Sequence, residues 1–320
     1  MLCLAVIGLG NISLRHRKNL KILYPESKVI TLSARGKVLT ELPDSADLIV
    51  TEVAELIRLK PYFVIVASPA SMHLQHAKEL IQAGIPCLIE KPLCINFREA
   101  ESLLKLSQKE LTPTAVGYCL RYMPAAKKMH ELIKSKILGE IYNITIEVGQ
   151  YLPDWRRTID YRYSVSAQRE LGGGALLELS HEFDYAQWLF GPLNVEHAVL
   201  RSSKELGLDV EDLVDVVFST QSGAQGHVHL DFLQQQPQRF CTVKGENGRI
   251  HWDLLKSTVD IFLNHQEHQH FAFNDWQVND MYLDLIKDFE NLCLGKKHLT
   301  VDLAQAAETL KLIDMIKKST

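Results

Sequence analysis

The sequence contains no apolar stretch approaching the ~20 residues that a membrane-spanning helix needs. It has no run of Lys and Arg and no acidic tail. Its formal net charge of −4 offers no bulk positive field to nucleic acid or to an anionic membrane surface. It shows no internal repeat and no long linker, and Gln234-Gln-Gln-Pro-Gln238 is only a short polar loop. Cysteine is sparse and scattered. Cys3, Cys87, Cys94, Cys119, Cys241 and Cys293 form no CxxC pair, and several sit in apolar runs. That argues against a disulfide framework and for reduced, mostly buried thiols in a cytoplasmic protein. The apolar start, residues 2–7, is too short for a signal-peptide core and runs straight into a glycine loop, so no leader is expected. No Ser/His/Asp order or nucleophile elbow is apparent. What is present is an ordinary globular composition, 46% apolar and 23% charged, over 320 residues. That length is more than one core usually takes, so two domains are expected.

Periodicity divides the chain near residue 120. Residues 2–7, 29–32, 62–67, 86–90 and 114–119 read as strands, mostly apolar throughout. Residues 14–23, 52–59, 71–83 and 97–108 read as the helices between them. This alternation predicts a doubly wound parallel sheet with right-handed crossovers. After a helix at 123–136 the strands become longer and alternating: 141–150, 194–201, 212–220, 224–232, 239–245, 249–253 and 258–263. Turn signals such as Gln221-Ser-Gly223 and Gly245-Glu-Asn-Gly248 separate them, which predicts antiparallel pairing. A helix at 174–190 interrupts this region, and helices at 275–294 and 303–317 close the chain. The expected fold is α/β. A parallel-sheet domain spans 1–120. A C-terminal α+β domain, 121–320, carries a large, open, mostly antiparallel sheet. The helix at 303–317 is expected to pack back on the first domain.

Gly8-Leu-Gly-Asn-Ile-Ser13 lies between the first strand and the first helix. Gly8 permits the tight turn, and Gly10 lets the backbone approach a phosphate. Asn11 and Ile12 open a helix whose N-terminus suits a pyrophosphate. Ser13 is small enough for helix–strand packing. This context makes the first domain a dinucleotide-binding Rossmann domain. The end of the second strand, Thr31-Leu-Ser33-Ala-Arg35, has no carboxylate to bind a ribose 2′-hydroxyl, and none occurs until Glu41. Ser33 can donate to a 2′-phosphate, and Arg35 can pair with it and stack on adenine. NADP is therefore expected over NAD, with NAD still possible.

Together the Gly8–Ser13 loop, Ala67-Ser68-Pro69 with His73, Glu90-Lys91-Pro92, Gly172-Gly-Gly174 and His181-x-x-Asp184 resemble the Gfo/Idh/MocA oxidoreductases over essentially the whole chain. The resemblance implies a nicotinamide-dependent oxidoreductase acting on a secondary alcohol of a sugar, cyclitol or sugar nucleotide. It also implies a homodimer or homotetramer formed through the C-terminal sheet. Ser68, Pro69, His73, Glu90 and Lys91 then join Gly8, Gly10, Asn11, Ile12, Ser33 and Arg35 as cofactor-binding candidates. Chemistry agrees at Lys91. It follows a parallel strand's carboxyl end, where ligands of such sheets gather, and a lysine beside a cationic nicotinamide can exchange the hydroxyl proton. His181 is the second catalytic candidate. The family's usual acid lies four residues before it, whereas here Glu178 lies three before. Glu178, His181 and Glu182 share one face at helical spacing, and Asp184 is read as structural. Arg121, Tyr122, Trp155 and Arg156 are substrate-binding candidates, Trp and Arg being able to stack on and clamp a sugar or phosphate. The Pro-Asp-Trp-Arg run is similar to oxidoreductases of surface-polysaccharide and nonulosonic-acid gene clusters. His265, His268 and His270 cluster, but Glu267 is the only acid nearby in sequence, so no metal is expected. Other readings stay open: a non-catalytic dinucleotide-binding regulator or sensor, or a reductase of a non-sugar carbonyl.

Overall fold

The computed structural model describes residues 1–155 and 160–319. The chain forms two compact units. One comprises Met1–Tyr118 with Tyr282–Leu310, and the other Cys119–Met281 with the residues from Lys311 on.

The first unit starts with β1 (Cys3–Ile7). Leu4 to Ile7 are fully buried, as a strand with no polar alternation requires. The chain continues through α1 (Asn11–Leu23), β2 (Lys28–Leu32), β3 (Leu48–Val50), α2 (Val53–Arg58), β4 (Phe63–Val66), α3 (His73–Gln82), β5 (Cys87–Ile89), α4 (Phe97–Glu110) and β6 (Thr114–Val116). All strand pairs are parallel, in the order β3-β2-β1-β4-β5-β6. The order reverses direction between β1 and β4, which is the switch point where open α/β sheets bind ligands. At only three residues, β3 is too short for periodicity to reveal. α4 starts where Asn96 accepts a bond from the Glu99 amide (2.9 Å).

The second unit contains α5 (Pro124–Lys134), β7 (Ile141–Gly149), α6 (Ala175–Glu178) and α7 (His181–Phe190). Seven strands follow: β8 (Leu193–Arg201), β9 (Leu213–Thr220), β10 (Gln225–Asp231), β11 (Gln238–Gly245), β12 (Gly248–Asp253), β13 (Thr258–Leu263) and β14 (Gln269–Ala272). The sheet order is β14-β13-β12-β11-β7-β10-β9-β8, antiparallel except for β7 with β10. One face is core, with Ile146, Val228, Cys241 and Trp252 fully buried. The alternating residues of the other face are mostly polar. Where one helix was expected over 174–190, the chain turns at Leu179 and Ser180, and α6 and α7 are separate.

α8 (Asp280–Cys293) and α9 (Leu303–Lys318) close the chain. Within the first unit, the Phe289 ring meets Phe63 edge-on (5.5 Å), and Val116 N–H donates to Val301 O (2.9 Å). All six cysteines are free thiols, and burial pushes Cys87 up to about 12. Among the described residues no helix is long and apolar enough to cross a membrane.

Candidate active site

The glycine loop is as tight as its sequence suggests. Gly8 has φ +124°, and a Cβ there would come within 2.4 Å of both Ala67 O and Ser13 Oγ. Ser13 stands at the third glycine position because its hydroxyl donates to Ala67 O (3.0 Å), tying α1 to the end of β4. Gly10 caps α1 and faces open space, so the first-turn amides at Asn11 and Ile12 meet no capping side chain. Sequence reasoning missed Arg17. Its buried guanidinium donates to Gly8 O (3.3 Å) and to Asp44 O (2.9 Å), bracing the loop from beneath. A basic residue on an amphipathic helix gives no sign that it turns inward.

After β2, the Ser33 hydroxyl accepts the Lys37 amide (3.0 Å) and is itself buried. Arg35 is exposed on the same turn. After β4, Ser68 is held by two histidines. His73 sits between Ser68 O (2.8 Å) and Pro92 O (2.9 Å), and His76 Nδ1 meets Ser68 Oγ (3.0 Å). Burial pushes His76 down to about 4. Burial also holds His73 below its ordinary value, against the pull of the two carbonyls. Both ring nitrogens face backbone carbonyls of the loops after β4 and β5, and the neutral ring donates to one of them.

After β5, Glu90 is buried against His16, with Nε2 to Oε1 at 2.6 Å. Its other oxygen accepts the Lys91 amide (3.1 Å). Burial alone would raise the Glu90 carboxyl. The His16 bond, with the charges of His16 and Lys91, brings it below its ordinary range. Glu90 therefore fixes the backbone that carries Lys91. The Lys91–Pro92 bond is cis, and Lys91 is partly exposed. Gly8, Gly10, Ser33, Ser68, Pro69 and Lys91 thus all follow carboxyl ends of β1, β2, β4 or β5, which are neighbours in the sheet.

In the second unit the triple glycine allows close packing. A Cβ at Gly173 would come within 2.6 Å of Val165 O, and one at Gly174 within 2.4 Å of Glu211 Oε1. Glu211 then accepts the Leu176 amide (3.2 Å) at the start of α6. Glu178 ends α6 and is partly exposed. His181 begins α7 with 9% of its surface exposed. The break between the two helices removes the single helical face expected for Glu178, His181 and Glu182. Glu182 faces inward, fully buried, and accepts two bonds from Arg239 (2.7 and 3.0 Å). Asp184 is also buried and accepts two bonds from Arg121 (2.9 and 2.7 Å). Arg121, expected to bind substrate, gives its Nε and one terminal nitrogen to this fork, which anchors α7. Tyr122 is buried, with Lys127 over its ring. Trp155 packs edge-on against Phe232 (5.4 Å). Arg156 lies outside the described residues.

A cluster of charged side chains lies on the sheet of the second unit. His229 places Nδ1 2.8 Å from Asp215 and Nε2 3.0 Å from Asp231, so both nitrogens donate only when the ring is charged. The Asp231 bond leads, with Asp215 adding to it, in pushing His229 up to about 9. The unfolded ring titrates near 6.5. Its stabilising effect is therefore complete below about pH 6.5 and is lost as pH rises through about 9. Allowing for its partial exposure, the loss is about 1–2 kcal/mol. Calorimetry from pH 6 to 10 should show the melting temperature falling by a few degrees. His229→Gln should flatten that slope, and identical profiles for the two proteins would exclude this role.

Two family models match most of the chain. Residues 2–118 match that of the oxidoreductase family with an NAD-binding Rossmann fold. Residues 126–251 match the GFO/IDH/MocA C-terminal domain. An uncharacterized oxidoreductase of Synechocystis is 37% identical over 130 residues, 40% of this chain and 34% of that protein. The D-glucoside 3-dehydrogenase of Escherichia coli is 27% identical over 158 residues, 48% of this chain and 43% of that protein. Matches to the curated relatives span between about a fifth and three-fifths of those proteins' own length. Among solved structures, a levoglucosan dehydrogenase in complex with NADH and levoglucosan superposes with a TM-score of 0.84 at 17% identity. That superposition covers 99% of this chain and 96% of the other, which shows a shared fold. With the parallel-sheet unit and the antiparallel-sheet unit each answering to its own family model, the chain belongs to the GFO/IDH/MocA oxidoreductases.

Proposed function

We propose that this chain is an NADP-dependent oxidoreductase that moves a hydride between a nicotinamide and a secondary alcohol or ketone carbon of a sugar, cyclitol or sugar nucleotide. The observation that carries this reading is the gathering of Gly8, Gly10, Ser68 and Lys91 at adjacent carboxyl ends of one parallel sheet. The open space over Gly10 fits a pyrophosphate. When bound, the dinucleotide supplies hydride chemistry. The chain's own residues bind and move protons. The α1 amides at Asn11 and Ile12 hold the pyrophosphate. Because the Lys37 amide already occupies the Ser33 oxygen, the Ser33 proton is available to a 2′-phosphate oxygen. Arg35 adds charge to the same phosphate. Lys91 accepts the substrate hydroxyl proton in oxidation and returns it in reduction. In the second unit, His181 and Glu178 are the catalytic candidates, and Trp155 and Tyr122 the substrate-binding ones. A relative named as a glucoside dehydrogenase supports the sugar-like class. Six free cysteines support a reducing, cytoplasmic setting. Exposed Val199 and Val217 on the open sheet face support pairing of copies there, as a homodimer or homotetramer.

A substrate panel tests this reading. Purified protein should reduce NADP with a free sugar, a cyclitol or a UDP-sugar, with kcat/KM for NADP about ten-fold or more above NAD. Ser33→Ala with Arg35→Ala should erase that preference, a change of about 1.4 kcal/mol or more. A wild-type preference for NAD would refute the cofactor assignment. The enzyme reading fails if NADPH binds, no panel member turns over, and Lys91→Ala leaves the cellular activity intact.

A further inference from the structure

Among the described residues one group of side chains meets the geometry of a metal site, and it includes none of the active-site candidates. Asp260 on β13 pairs directly with His270 on β14. His268 stands two residues before His270, on the same side of the extended chain. His268 Nε2 lies 2.7 Å and His270 Nδ1 2.8 Å from the same Asp260 oxygen. The three potential ligand atoms lie within 4.8 Å of one another. A tetrahedral Zn2+ holds its ligands roughly 3.3 Å apart, so small side-chain rotations would open this cluster around an ion. The His268 ring is stacked on Phe262 (4.3 Å, 1°), which fixes its plane. Both histidines are about half exposed, so an ion can reach them from solvent, and they can change tautomer without breaking a buried bond. Asp260 and His270 also line a groove of about 610 Å³, leaving room for water at a fourth position.

The geometry points to a divalent-cation site formed by Asp260, His268 and His270 at the β14 edge of the antiparallel sheet, suited to Zn2+ or a similar borderline ion. Two imidazoles and one carboxylate are ligands of that class. The bound ion replaces the two N–H protons that now face Asp260 and ties the terminal hairpin together. Along the sequence, Glu267 is the nearer acid. Strand register is what brings Asp260 to the histidines.

Titration of the full-length protein with ZnCl2 near neutral pH, followed by calorimetry, tests the site. One equivalent per chain should bind. Asp260→Asn, His268→Ala and His270→Ala should each weaken it about ten-fold or more. His265→Asn, in the same histidine-rich segment but outside the cluster, should leave affinity unchanged. The proposal is overturned if no stoichiometric binding occurs or if the three variants bind like wild type. It is equally overturned if His265→Asn weakens binding as much as they do, since that would mean the segment binds as a loose histidine-rich tract.

Discussion

Lys91→Ala is expected to lower kcat about 10³-fold, while NADPH affinity changes only a few-fold. Removing a positioned general acid or base typically costs between 10² and 10⁴ in rate. A value inside that range, rather than at its lower end, applies because the Lys91 backbone is held. Glu90 accepts its amide, and His16 holds Glu90 from the other side. Lys91→Arg sharpens the test. Arginine keeps the positive charge but does not give up a proton at neutral pH. If Lys91 only steers an anionic group, the Arg variant will retain most of the rate. If Lys91 exchanges the hydroxyl proton, both variants will be similarly slow. Steady-state turnover alongside NADPH fluorescence titration separates these outcomes. An Ala variant within ten-fold of wild type in kcat would remove Lys91 from the mechanism.

The largest expected effect on stability comes from Glu182→Ala. Arg239 is then left largely buried with no partner for the two bonds it now makes to Glu182. Breaking a buried pair from one side typically costs about 3–5 kcal/mol. For a chain of this size that lowers the melting temperature by roughly 5–7 °C. Replacing both partners with apolar residues, Glu182→Leu with Arg239→Met, removes the orphaned charge as well. The double variant should recover most of the loss. A double variant no more stable than Glu182→Ala would mean that the pair's shape, rather than its charge, holds α7 in place.

The elements legible in the sequence are those written in local periodicity. The buried strands β1, β4 and β5 are continuous apolar runs, and the glycine loop sits where strand gives way to helix. Loop residues after those strands could be placed together because parallel topology brings their ends together. Side-chain partners could not be read in this way. His16 and Glu90 are 74 residues apart, Arg121 and Asp184 are 63 apart, and Glu182 and Arg239 are 57 apart. Nothing in a residue's own neighbourhood says that a distant charge will neutralise it. For that reason the fork of Arg121 with Asp184 could not be read from either residue's own surroundings. The break between α6 and α7 falls at Leu179 and Ser180, with no glycine or proline to mark it. Asp260 is invisible to spacing because the register of β13 on β14, fixed by pairing across a turn, decides which acid faces the histidines.

The division of the first unit into Met1–Tyr118 and Tyr282–Leu310 bears on how it is made. A ribosome must add residues 119–281 before Tyr282 emerges. At roughly 5–20 residues per second that takes on the order of ten seconds. Throughout that interval Phe63 lacks the Phe289 ring it meets edge-on, and the Val116 amide lacks the Val301 carbonyl. The nascent dinucleotide-binding unit therefore waits, with one flank of its sheet incomplete, for the last part of its own message.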